Sequence, residues 1–171
     1  MKRKATPAGA SIAFTEEGMV LDDSTTITKR VRLDVWRDAL GTPERVQAPL
    51  PSGRDNGTLH FYDSLGLYLV EGHGKLVSQF TVILERTHTW PLTRKVFAGA
   101  VTVFGVDLSG ARGSPTTLAG KTPLTRTYPG LLQYRAPGFT LEVTVEPRLP
   151  KNSGELIPAA RHPTRASLSF L

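Results

Sequence analysis

The sequence predicts an α+β fold, mostly antiparallel β-sheet (meander and hairpins) with one short helix packed on it, and three observations carry that reading. Gly 16 and Pro 13 among 171 residues exceed the usual share, so turns are frequent and long helices are not. Short apolar runs repeat with the two-residue period of half-buried strands. Leu33, Trp36 and Leu40 fall at i, i+3 and i+7, the spacing that puts one apolar stripe of a short helix against a sheet.

Taken in order, residues 1–10 carry Lys2, Arg3 and Lys4 and read as a disordered basic lead. Ile12 and Phe14 alternate with polar neighbours as a strand, Glu16-Glu17-Gly18 turns it, and Met19-Val20-Leu21 returns. Asp22-Asp23-Ser24 makes a second turn, and the β-branched run from Thr25 to Val31 is extended. In the helix that follows, Asp34 suits the first turn, where unpaired N–H groups favour a carboxylate. Gly41 stands at the left-handed position that ends a helix, and Pro43 forbids its resumption. A helix this short depends on packing, so Trp36 is its expected anchor.

Residues 47–57 read as a loop ending in the Asn56-Gly57 turn dipeptide. A three-strand meander follows through His60-Phe61-Tyr62, Gly66 to Val70 and Lys75 to Val82. Both faces of the third strand are partly apolar, so it is expected to be central and covered on both sides. Trp90-Pro91-Leu92 opens a crossing segment, and Ala100 to Phe104 forms a strand. Residues 109–123, rich in Ser, Gly, Thr and Pro, read as a loop. Leu131 to Tyr134 and Phe139 to Val145 supply two strands around the Pro137-Gly138 turn. The organisation is therefore a lead (1–10), one α+β domain (11–147) and a basic, Pro-rich tail (148–171) whose final apolar residues dock on the body.

The net charge of +6 does not belong to the folded body. Residues 11–147 hold 14 Lys/Arg and 14 Asp/Glu, and the basic excess sits in the two ends. A nucleic-acid-binding domain concentrates its cations on the folded surface, so no nucleic-acid partner is expected. No stretch approaches the ~18 apolar residues of a membrane span and no signal-peptide core is present, which points to a cytoplasmic protein with no membrane partner.

The chain has no cysteine, so thiolate metal sites and cysteine nucleophiles are excluded. His60, His73, His88 and His162 match no metal-binding spacing. No nucleophile elbow or P-loop occurs; Lys121-Thr122 after Gly120 runs into Pro123. An enzyme, a metal and a cofactor are not expected. Glu16/Glu17 and Asp22/Asp23 bracket the first return strand and, with Asp55 and Asp63, could form an acidic rim that steers a basic partner.

The order of hairpin, helix and Leu40-Gly41-x-Pro43-x-Arg45, then Tyr62-Asp63-Ser64-Leu65-Gly66-Leu67-Tyr68, Gly74-Lys75-Leu76-Val77 and Phe97-Ala98-Gly99-Ala100-Val101 resembles a bacterial family of uncharacterised domains. That family's members are similar to immunity proteins of interbacterial toxin systems, including type VI secretion. The resemblance covers about residues 12–108 and implies a non-enzymatic binding protein that neutralises a cognate toxin effector. The partner-binding residues expected on that reading are Glu16, Glu17, Asp22, Asp23, Tyr62, Asp63, Tyr68, Glu71 and His73. The alternative is a structural or assembly protein whose basic termini become ordered against neighbouring subunits.

Overall fold

The computed structural model describes residues 10–48, 57–85, 93–109, 115–128, 130–147 and 161–171. Among them the strands are β1 (Ser11–Thr15), β2 (Gly18–Leu21), β3 (Thr25–Ile27), β4 (Arg45–Gln47), β5 (Thr58–Tyr62), β6 (Leu67–Glu71) and β7 (Val77–Ile83). They continue with β8 (Ala100–Val103), β9 (Val106–Asp107), β10 (Thr125–Tyr128), β11 (Leu131–Arg135), β12 (Phe139–Pro147) and β13 (Arg161–Phe170). The helices are α1 (Leu33–Leu40) and α2 (Pro115–Lys121).

Two sheets form, in the orders β3-β2-β1-β8-β9 and β10-β11-β12-β13-β7-β6-β5-β4. Every pairing is antiparallel except β1 with β8. The α+β, mainly antiparallel class read from the sequence is the observed one. One apolar core joins the sheets: Ile12, Phe14 and Val101 from the smaller share it with Leu69, Phe80, Leu141 and Leu168 from the larger. Trp36 of α1 is fully buried and stacks on Phe80, with ring centroids 5.4 Å apart and planes 16° apart.

The first hairpin follows the sequence signals closely. Ile12 and Phe14 point inward, and Asp22 and Asp23 form the β2–β3 turn with φ of 49° and 55°, closed by the Ser24 N–H donating to Leu21 O at 3.1 Å. Asp22 also accepts the Ser11 N–H at 2.9 Å, so this turn fastens the start of β1. At the end of α1, Gly41 takes φ 86° and ψ −163° rather than the expected left-handed helical conformation. Only glycine reaches that region comfortably, and it lets the Tyr62 hydroxyl donate to Gly41 O at 3.2 Å.

The meander is β5–β6–β7, and β7 is central as expected. Phe80 and Val82 face the shared core, while Thr81 and Ile83 are buried on the opposite face. A register shift at Val70/Glu71 sets Glu71 opposite Val77 and places Val77 in the shared core with Phe80 and Val82.

Two expectations are corrected. Residues 109–123 are not all loop: Pro115–Lys121 is α2, with Leu118 fully buried and the helix lying against β13. The 148–171 segment is not a tail throughout, because residues 161–170 are β13, inserted between β12 and β7. Ala166, Leu168 and Phe170 are buried in the shared core, which is why the strand is held there. Residues 1–9 of the expected lead, most of the 47–57 loop with Asp55, Trp90-Pro91-Leu92, His88 and residues 148–160 lie outside the described residues, as does the side chain of His162.

Candidate functional site

The β5–β6 hairpin carries a cluster of charged groups at each of its ends. At the turn between the strands, Asp63 is almost fully buried and receives both Nε and Nη2 of Arg45, each at 3.0 Å. The Arg94 N–H donates to the same carboxylate at 2.9 Å, and the exposed Arg94 Nε stands 3.8 Å away. The Lys95 N–H donates to Asp63 O at 3.2 Å. Arg45 sits over Phe61, its guanidinium carbon 3.7 Å from the ring centroid. Beside it, the Ser64 N–H and hydroxyl donate to Glu44, the former at 2.8 Å.

The hydrogen bonds from Arg45 hold the Asp63 carboxyl below the ordinary carboxylate range, against the opposing effect of burial. One buried carboxylate thus ties β4, the hairpin turn and the 94–95 segment together. Next to it, burial pushes the Tyr62 hydroxyl up to about 12, with Arg37 pulling the other way.

At the opposite end, His60 Nε2 lies 2.7 Å from Glu71 Oε2 across the β5–β6 pair, with the imidazole buried and the carboxylate partly accessible. Among the described residues, His60 Nδ1 and Trp36 Nε1 are buried without a hydrogen-bond partner. Tyr68 belongs to a second apolar cluster on the outer face of the larger sheet, with Leu59, Phe61, Val70 and Ile83. Burial raises its hydroxyl above the ordinary tyrosine range, and hydrogen bonds with Thr81 and Arg165 oppose that. Thr81 and Ser167 continue the same row, their hydroxyl oxygens 2.9 Å apart.

The expected contact residues therefore divide. Tyr62, Asp63 and Tyr68 are core residues, closed to a partner's surface. Glu16, Glu17, Asp22, Asp23 and His73 are exposed, and Glu71 is partly so. They do not make one rim. Glu16 and Glu17 form the β1–β2 turn, while Asp22 and Asp23 sit at the far end of the same hairpin, paired back to Ser11. Gly18 packs against Ile27 and Thr28, and the chain after β3 bonds Phe170 O through Arg30 and Val77 N through Val31 O. The Glu16-Glu17 turn thus shares an end of the molecule with Glu71 and His73, and Asp63 lies at the other end.

Arg45, Arg94 and Glu44 were not singled out as site residues from the sequence. The one available signal was Arg45 closing the Leu-Gly-x-Pro-x-Arg turn. Among the described residues no group of three His, Asp or Glu is placed to hold a metal ion, and no helix is long and apolar enough to cross a membrane.

These features define a mainly antiparallel two-sheet protein whose interior charges pin strand ends to one another. Residues 11–113 match the model of a family described as a domain of unknown function, DUF7738, and the chain belongs to that family. The match spans α1 and β1 to β9, the region over which the sequence resembles uncharacterised domains. No curated protein and no solved structure matches the chain.

Proposed function

We propose that the protein is a non-enzymatic binding protein, an immunity protein that occupies a cognate bacterial toxin effector. The observation that carries the reading is the use made of the titratable groups. Asp63 is spent on Arg45 at the hairpin turn and His60 on Glu71 across the β5–β6 pair, which leaves exposed charge at the hairpin turns as the chemistry available to a partner. The surface we assign is the end bearing Glu16, Glu17 and His73, with Glu71 at its margin. Two adjacent carboxylates on an exposed turn steer a basic partner and fix its orientation more than they add affinity. A complex of ordinary size would bury on the order of 1,600 Å² in total.

For the assembly alternative, with termini ordered by neighbours, residues 161–170 offer no such terminus, because β13 pairs within its own chain. Truncation after residue 147 does not separate the two readings, since it removes a strand flanked on both sides.

Expressing the protein in cells poisoned by a toxin domain encoded beside its own gene is expected to restore growth. Replacing Glu16 and Glu17 together with lysine should weaken that rescue while leaving the circular dichroism spectrum unchanged. Full rescue by the Glu16→Lys/Glu17→Lys variant would remove the proposed surface, and no rescue by the wild type would remove the toxin reading.

A further inference from the structure

The β8–β9 turn carries a residue that its geometry does not favour. Val103 pairs with Val106, so Phe104 and Gly105 alone join the strands, and both have positive φ, 48° and 79°. A two-residue turn of this hand calls for Asn-Gly, Asp-Gly or Gly-Gly, because a larger side chain is crowded at positive φ. The β2–β3 turn meets that demand with Asp22 and Asp23, whereas Phe104 is the one aromatic residue at positive φ among the described residues. A bulky side chain held there is strained, and strain of this kind gathers at binding sites.

The Phe104 ring is half-buried and meets Tyr134 of the larger sheet edge to face, with centroids 5.1 Å apart and planes at 76°. Tyr134 is half-buried too and rests against Phe139 at 6.2 Å. Two partly open rings, one from each sheet, therefore meet beside the Glu16-Glu17 turn. β1 and β8 run parallel and stop together: Phe14 pairs with Val103, and the Phe104 N–H donates to Phe14 O at 2.9 Å. Both glutamates are exposed. Arg135 is turned to the opposite face of β11, where its Nε donates to Gln133 Oε1 at 2.9 Å, and Arg30 is bonded to Phe170 O. His73 and Lys75 lie on the β6–β7 connection, with β12 and β13 between it and β11.

We propose that the Phe104–Tyr134 pair is the anchor of the partner-binding end and receives a lysine or arginine side chain of the toxin, whose charge Glu16 and Glu17 meet; the inference rests on the binding-protein reading above. A cation on a ring face is favourable where water is excluded, and the chain uses the same contact internally, with Arg45 over Phe61. Central aromatic contacts carry most of an interface's affinity, while charges at the rim govern approach and orientation. The strained turn fixes the Phe104 ring before the partner arrives, so little freedom is lost on binding.

Phe104→Asn separates the two reasons for keeping the ring. Asparagine is what the turn prefers, so a ring kept for packing makes the variant less stable, and a ring kept for binding does not. The urea midpoint of Phe104→Asn is expected at or above that of the wild type. Its dissociation constant for the toxin domain encoded beside the gene should rise ~30-fold, and that of Phe104→Tyr, which keeps the ring, should stay within ~3-fold. A lowered midpoint, or a Phe104→Asn variant that binds as the wild type does, overturns the anchor while the toxin reading stands. A wild-type protein that does not bind the domain overturns the toxin reading and the anchor with it.

Discussion

Asp63 shows how a turn residue becomes a core residue. From the sequence it is a polar side chain between two strands, a natural surface position. In the fold it takes two hydrogen bonds from Arg45, eighteen positions earlier, and one from the Arg94 backbone. No local pattern announces pairing at that separation, which is why the burial of Asp63 was not legible. Because its folded-state pKa is depressed, the stability it contributes is present above the unfolded value of about 3.9 and is lost as pH falls through the folded value. Asp63→Asn is expected to cost roughly 2–3 kcal/mol near neutral pH, less than a fully buried pair would, because Arg45 remains partly open to water. Urea denaturation from pH 7 to pH 3 should show that difference shrinking as the wild-type carboxylate protonates; a constant difference would contradict the assignment. Trp36, by contrast, was legible as an anchor from its helical spacing alone. Its ring is fully buried against Phe80, and Trp36→Ala should lower unfolding stability by about 3–5 kcal/mol in the same measurement.

Among the elements, those with a clean period were readable and those without were not. The β1–β2 hairpin, α1 and the meander carry alternation or a helical stripe bounded by Gly, Asp or Pro, and each is found where those signals place it. Among the described side chains of α2 one apolar residue, Leu118, is buried, in the company of Thr, Ala and Gly, too little to register as periodic. β13 is concealed differently. Its inward set, Ala166, Leu168 and Phe170, does alternate, but hydroxyl residues separate its members and Pro163 precedes them. Pro163 stands beside the register irregularity at Thr144/Val145, a position in a paired strand that tolerates a missing N–H donor. Because β13 is bonded on both edges, deleting residues 161–171 should abolish cooperative unfolding rather than merely lower the midpoint. A deletion variant that keeps a sharp thermal transition would show that β13 is dispensable to the sheet.

At the scale of the molecule, the buried Asp63 held by Arg45, the His60–Glu71 hydrogen bond and the exposed acidic turns are the physical basis on which recognition is proposed. The proposed contact surface was only half legible, since the sequence contains acidic turns but does not say which share an end of the molecule. Strand directions within each sheet, joined by the chain that runs from beside Gly18 to Phe170 O and Val77, put Glu16, Glu17, Glu71 and His73 at one end and Asp22, Asp23 and Asp63 at the other. The most direct measurement is affinity capture of the tagged full-length protein from its native cells, washed at high salt and identified by mass spectrometry. One stoichiometric partner is expected, a toxin domain, whose capture is reduced by Glu16→Lys/Glu17→Lys. Recovery of no toxin, or of a set of structural proteins in its place, would contradict it.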